Sequence, residues 1–497
     1  MIIFKNFLNV IWPIRRDELA VFLSMTGLMF CILFIQNLIR ALKDSIVNTL
    51  IGTEIISFLK FWGVMPASFL IVIIYVKAIH YFDAKKIFYT TLSSFLLFFL
   101  LFAFYIFPNY ETLHLCDQKI NLLTQDHPHL KWFILLVAKW GFSLFYIISE
   151  LWPNVIIGLL FWQFINQITT VEQSRRFYGL FGLLGQTGLF ISGKFLVYLP
   201  AISKFLIARY AINKSLSLVS VQVVLSVVVA LGIIGIYFFW LLNRAPGVQN
   251  TDIVFKAKDS KIGLIDSVKM ILRSRYIRLI AIIMICYGIS INLAETPWKS
   301  IASNKYTEVS DYAGFVGNYL SYTGICTVLL VLVNSNIIRR FGWFYSAIIT
   351  PIVVCVTGLM FFLTSNFDDI STSLANLFLV SDPLMLIITA GMIQNILSKS
   401  TKYTFFDVTK EMSYVPLPDE LKTKGKAAVE VIATKVGKSL SALLQTIVFI
   451  IMPNATYSSI SIYLMCIFGV ICIVWIWAIR ELSVDYSKLV AQKSANQ

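Results

Sequence analysis

Apolar runs close to the roughly 20 residues that one bilayer crossing requires recur along the whole chain. They fall at about 19–39, 56–79, 87–107, 132–168, 177–197 and 217–242. A second set covers about 276–295, 312–338, 343–363, 382–404, 427–452 and 460–479. Such runs leave helices as the spanning element, because a helix satisfies its backbone hydrogen bonds internally. The segment 132–168 would be about 55 Å long as one helix. That is long for one crossing and short for two, and Pro153 offers a kink, so it counts as one broken helix. The expectation is an all-α polytopic membrane protein of about twelve transmembrane helices.

Charge tests that count. Of the 41 Lys and Arg, about 27 fall on the side of the termini if the spans are counted this way, as the positive-inside rule requires. Splitting 132–168 in two would spoil the bias. The net charge of +15 is then a product of topology, and nucleic acid is not an expected partner. The lipid bilayer is. The long basic connector 243–275 divides residues 1–242 from 276–497, six spans from six, as in two-half carriers. The endings RALKDS (Arg40 to Ser45) and ETPWKS (Glu295 to Ser300) occupy corresponding places in the two halves.

Two kinds of chemistry can be set aside. The seven cysteines and four histidines show no spacing suited to zinc or to a disulfide framework, and no cofactor is expected. GLFISGKF (Gly188 to Phe195) imitates a phosphate loop, but Phe195 stands where a magnesium-binding hydroxyl belongs and no strand precedes it. An ATP-driven pump is therefore not expected, and no acid–base couple supports an enzyme.

Embedded charges remain. A charge at the middle of a bilayer costs about 2.5–3.5 kcal/mol on insertion scales, so intramembrane ionisable residues mark function by default. Lysines are dense between Ser398 and Ser439, among them Lys402, Lys424, Lys426 and Lys438. A polyanionic ligand passing between the spans would account for them. Arg40, Lys43 and Asp44 close the first span, the two cations as a substrate contact or by snorkelling. Lys60 lies in the second span, and its role depends on where that span starts. Glu150 stands mid-span with Lys139 eleven residues earlier, on the same face of a continuous helix, and the two form a candidate ion pair. Glu295 and Lys299 end the seventh span, as a gate against Arg40 or Lys43 or as a solvated helix end.

LIRALKDSIVNTLIGTEIISFLK, SELW followed by FWQFINQIT, AETPWKS and SKSTKYTFFDVTKEMSYVPLPDELKTKGKAAVEV together resemble, in order and over nearly the whole chain, the nucleotide transporter family. These are the ATP/ADP antiporters of plastids and obligate intracellular bacteria. The lack of a transit-peptide composition points to the bacterial, rickettsia-like branch. The resemblance implies a major-facilitator-like arrangement of two six-helix halves, exchange of host ATP for bacterial ADP, and nucleotides, with phosphate as a further candidate, as partners. It also implies a place in the bacterial inner membrane with both termini cytoplasmic. Lys43 matches the lysine of the family's KD motif, Glu150 that of ELW and Glu295 that of ExxWK. The late lysine stays open among Lys424, Lys426 and Lys438. Pro297 and Ile301 depart from the pattern, as do Leu440 and Ser441 after GKS, so carriage of GTP, UTP or CTP is an alternative; nucleotide/proton symport with Glu150 as the proton site is another.

Overall fold

The computed structural model describes residues 14–15, 17–211, 213–245, 264–380, 382–418 and 421–495. They are helical throughout the apolar runs, with no strand among the described residues. The principal helices are α1 (Leu19–Leu50), α2 (Ile55–Tyr81), α3 (Ala84–Ile106), α4 (Trp140–Ile168), α5 (Val171–Tyr210) and α6 (Leu216–Arg244). There follow α7 (Arg275–Lys305), α8 (309–341), α9 (343–366), α10 (Pro383–Thr401), α11 (Lys426–Ile451) and α12 (Tyr457–Ala495). Gly342 separates α8 from α9 because it alone adopts φ +83° there, a conformation a glycine takes without steric cost. Twelve long helices are thus present among the described residues, ten of them long and apolar enough to cross a membrane by length and composition, in an all-α, major-facilitator-like arrangement. Residues 246–263, most of the connector at 243–275, lie outside the described residues; Leu264–Arg273 at its end is a short helix.

One boundary differs from expectation. The segment 132–168 is broken at Lys139, whose φ −103° and ψ 42° end the short helix Lys131–Ala138, and not at Pro153, where φ −62° and ψ −34° stay helical and the helix only widens. The crossing begins afresh at Trp140. Its backbone start is capped by a side chain: the Gly141 N–H donates to His114 Nε2 at 3.1 Å.

The helices that carry embedded charge share a local device. Wide turns with i→i+5 bonding occur at Leu59–Val64, at Pro153–Phe161 and at Lys402–Phe406. They hold Lys60, follow Glu150 and begin at Lys402. Pro153 supplies the reason in one case, since it lacks an N–H and clashes with the preceding turn. Such turns rotate the following side chains relative to a regular helix and often lie at functional sites.

At the end of the bundle that carries Leu50, Lys305 and Ile451, the first six helices and the last six are fastened together. Ser217 Oγ donates to Glu308 Oε2 at 2.7 Å, and His129 Nδ1 donates to Ile450 O at 2.7 Å. Between α5 and α8 the backbones touch. A Cβ on Gly193 would lie 2.5 Å from Gly317 O, and one on Gly317 would lie 2.5 Å from Gly193 O.

Candidate functional site

Ion pairs cross the middle of the bundle in an unbroken chain. On α1, the Lys43 ammonium lies 2.8 Å from Glu150 Oε1 of α4 and 2.7 Å from Asp44 Oδ1. Asp44 Oδ2 accepts from Lys299 of α7 at 2.8 Å. Lys299 sits 3.0 Å from Glu295 Oε1, one turn earlier on the same helix face. The same Glu295 oxygen takes Lys399 of α10 at 3.1 Å and Arg40 of α1 at 3.8 Å. Lys43, Asp44, Glu295, Lys299 and Lys399 are all buried. The carboxylates offset the burial of these cations, because an unpaired buried charge would cost several kcal/mol.

Two further cations lie beside the chain. The Lys60 ammonium donates to Asn292 Oδ1 of α7 at 2.7 Å, and Asn292 is itself tied to Gly288 O at 2.9 Å. The second span therefore turns Lys60 inward. Lys438 on α11 is exposed, yet it lies within electrostatic reach of Glu150, Lys402, Arg40 and Glu295. A lysine with those neighbours faces the bundle interior, so its exposure is to a cavity. Among the described residues no ion pair engages it. Arg40 and Glu150, each 33% exposed in its side chain, form the edge of the same cavity.

Around this region stand six cations, Arg40, Lys43, Lys60, Lys299, Lys399 and Lys438, against three carboxylates, Asp44, Glu150 and Glu295. An imbalance of that kind in a low-dielectric setting attracts a polyanion. Phosphate oxygens would be met as charge-assisted acceptors, in competition with the carboxylates.

The remaining sequence-designated residues lie elsewhere. Lys139 does not pair with Glu150: it bonds Asp117 Oδ1 at 2.8 Å, on an exposed carboxylate of the α3–α4 connection. The helix break at Lys139 removes the shared face on which that pairing depended. Lys402 pairs with Asp407 at 2.8 Å, near the cavity. Lys426 bonds Glu411 at 2.5 Å at the start of α11, away from the central chain. The side chain of Lys424 lies outside the described residues. The sequence assigns Asp44 no partner, does not separate Lys399 from the other late lysines, and offers no signal for Asn292. The intramembrane position of Lys399 was the available signal.

Beyond the ion-pair chain, towards the Leu50 end, lies a polar recess of about 440 Å³ lined by Asn48, Thr53, Ser303, Asn304 and Thr456 among others. Its lining carries no lysine or arginine. The Asp44–Lys299 bridge, one helical turn below Asn48 and Ser303, stands between this recess and the Lys438 cavity.

The fold is shared with solved transporters. A mutant form of the nucleoside transporter NupG superposes with a TM-score of 0.59 at 12% identity, covering 93% of this chain and 99% of that one. A bacterial homologue of the iron transporter ferroportin in an inward-facing state gives 0.60 at 11% identity, covering 91% and 99%. Sequence relatives are much nearer. "ADP,ATP carrier protein 4" of Rickettsia bellii (strain RML369-C) is 56% identical over 488 residues, 98% of this chain and 94% of its own. The protein of the same name from Rickettsia prowazekii (strain Madrid E) is 55% identical over 485 residues, 97% and 95%. "ADP,ATP carrier protein 3" of Rickettsia typhi (strain ATCC VR-144 / Wilmington) is 44% identical over 498 residues, 98% and 99%. The family model described as "TLC ATP/ADP transporter" matches residues 2–486, and the chain belongs to that family.

Proposed function

We propose that this protein is a secondary transporter, not an enzyme, that exchanges adenine nucleotides, ATP against ADP, across a membrane by alternating access. The observation that carries the reading is the chain Glu150–Lys43–Asp44–Lys299–Glu295–Lys399, which bridges the first and second sets of helices while cations exceed acids around it. In this account residues 1–242 and 276–497 are the two moving halves and 243–275 their linker. The carboxylates hold the cations when the site is empty, and the phosphate chain replaces Glu150 and Glu295 when substrate enters. Lys438, the exposed cation of the cavity, is the first contact for a nucleotide arriving from the side of the termini. The excess of Lys and Arg on that side supports a cytoplasmic location for both termini in a bacterial inner membrane, with uptake of host ATP as the direction.

Exchange follows from the charge balance. An empty carrier must reorient with its excess cations uncompensated in a dry, closed state, whereas a loaded one is neutralised. Proteoliposomes preloaded with ADP should accumulate labelled ATP at least tenfold faster than empty ones, and high salt should weaken apparent affinity by screening. A panel of ATP, ADP, GTP, UTP, CTP and phosphate, each offered alone, checks the substrate. Equal rates in empty and preloaded vesicles, with uptake driven by a pH gradient, would replace antiport by proton symport.

A further inference from the structure

Lys43 and Lys399 are seated alike at two separate places in the bundle. The Lys43 ammonium lies 2.8 Å from Glu150 and 4.0 Å from the centroid of the Tyr146 ring. The Lys399 ammonium lies 3.1 Å from Glu295 and 4.9 Å from the centroid of the Tyr319 ring. Tyr146 precedes Glu150 by one turn on α4, so one helix face supplies both ring and acid. Tyr319 comes from α8 and Glu295 from α7. Both rings are buried, so water does not compete for the ammonium on the ring side.

If these lysines bind substrate phosphate, each must change anionic partners during every cycle. Between the carboxylate-held and phosphate-held arrangements Lys399 passes through one in which neither anion is at contact distance, and Lys43 through one in which only Asp44, at 2.7 Å and shared with Lys299, remains. That is where an uncompensated charge in a dry site is most costly. A ring face attracts an ammonium through its quadrupole and carries no charge that could follow the substrate. The ring contributes most when the anions are absent, because with them present the ammonium has other partners to settle on.

We propose that Tyr146 and Tyr319 are positioning residues whose ring faces hold Lys43 and Lys399 in place while their carboxylate partners are exchanged for phosphate. The inference rests on the reading of these lysines as phosphate ligands. It assigns the work to the ring face and not to the phenolic hydroxyl.

The test replaces Tyr146 by phenylalanine and then by phenylalanines bearing one, two and three ring fluorines, which withdraw charge from the ring face and keep its shape. Tyr146→Leu completes the set, and position 319 is treated in the same way. Turnover per active carrier at saturating ATP is measured in ADP-loaded proteoliposomes, and the dissociation constant for ATP in detergent. Tyr146→Phe should keep turnover within about twofold of wild type. Turnover should then fall stepwise with fluorination, towards a loss of about thirtyfold for the leucine variant, the equivalent of about 2 kcal/mol. The dissociation constant should stay within about twofold throughout. A flat turnover series in an active wild-type background overturns the proposal, as does a phenylalanine variant no better than leucine. A series in which affinity grades with fluorination and turnover does not also overturns it. A wild-type carrier that exchanges no nucleotide overturns the transport reading and this inference with it.

Discussion

Lys43 touches two carboxylates and a ring at once, and which of these is expendable can be measured. Glu150→Gln keeps the shape of the side chain but leaves Lys43 with Asp44 alone. Exchange should fall at least tenfold, and combining it with Lys43→Gln should cost less than the two losses multiplied, with a coupling of about 1–3 kcal/mol. Lys139→Gln should stay within about twofold of wild type and combine additively with Glu150→Gln; strong coupling there would restore Lys139 to the site. Initial rates of counterflow in correctly inserted variants decide both. The sequence marked Lys43, Glu150, Glu295 and Lys299 because charge is costly in a span. It marked the wrong partner for Glu150 because helical spacing presumes an unbroken helix, and Lys139 breaks it. Asp44 was hidden for another reason: its salt bridge joins α1 to α7 across 255 positions, and no local spacing rule reaches that far.

The start of α4 has a pH dependence of its own. Burial pushes the His114 imidazole down to about 4, with the nearby Lys139 cation acting in the same direction. The unfolded chain therefore binds this proton more tightly than the folded one. The stability contributed by neutral His114 is complete above the ordinary value near 6.5 and is lost as pH falls towards 4. Melting of the purified carrier should drop across that window, and His114→Gln should flatten the difference between pH 6.5 and pH 4.5. A variant with an unchanged slope would remove His114 from the account. The hydropathy pattern displayed the helices themselves, since spans of this length leave few alternatives. It concealed the break before α4 because Lys131–Ala138 is as apolar as the span it precedes. Of the wide turns near charge, only the one at Pro153 had a visible cause.

Across the whole bundle, the Asp44–Lys299 bridge divides two aqueous spaces, and reagents should report the division. In a cysteine-depleted background without nucleotide, a membrane-impermeant thiol reagent should label Lys438→Cys from the side of the termini only. It should label Asn304→Cys, in the polar recess, from the opposite side only. Labelling of Lys438→Cys from the recess side would mean that the bridge does not seal. The long apolar helices were legible because a spanning segment is written in composition. Which ends of the helices close against each other was not, because glycine contacts between α5 and α8 resemble any other small residues in an apolar run. Those contacts act as a fulcrum if the halves rock, and the fulcrum is off centre. From Gly317, α8 extends about 12 Å towards the recess and about 36 Å towards the termini; from Gly193, α5 extends about 26 Å and about 33 Å. The longer arms lie on the side of the termini. The same rotation therefore opens a wide doorway on that side and a narrow one on the other, and the two faces of the membrane do not see the same aperture.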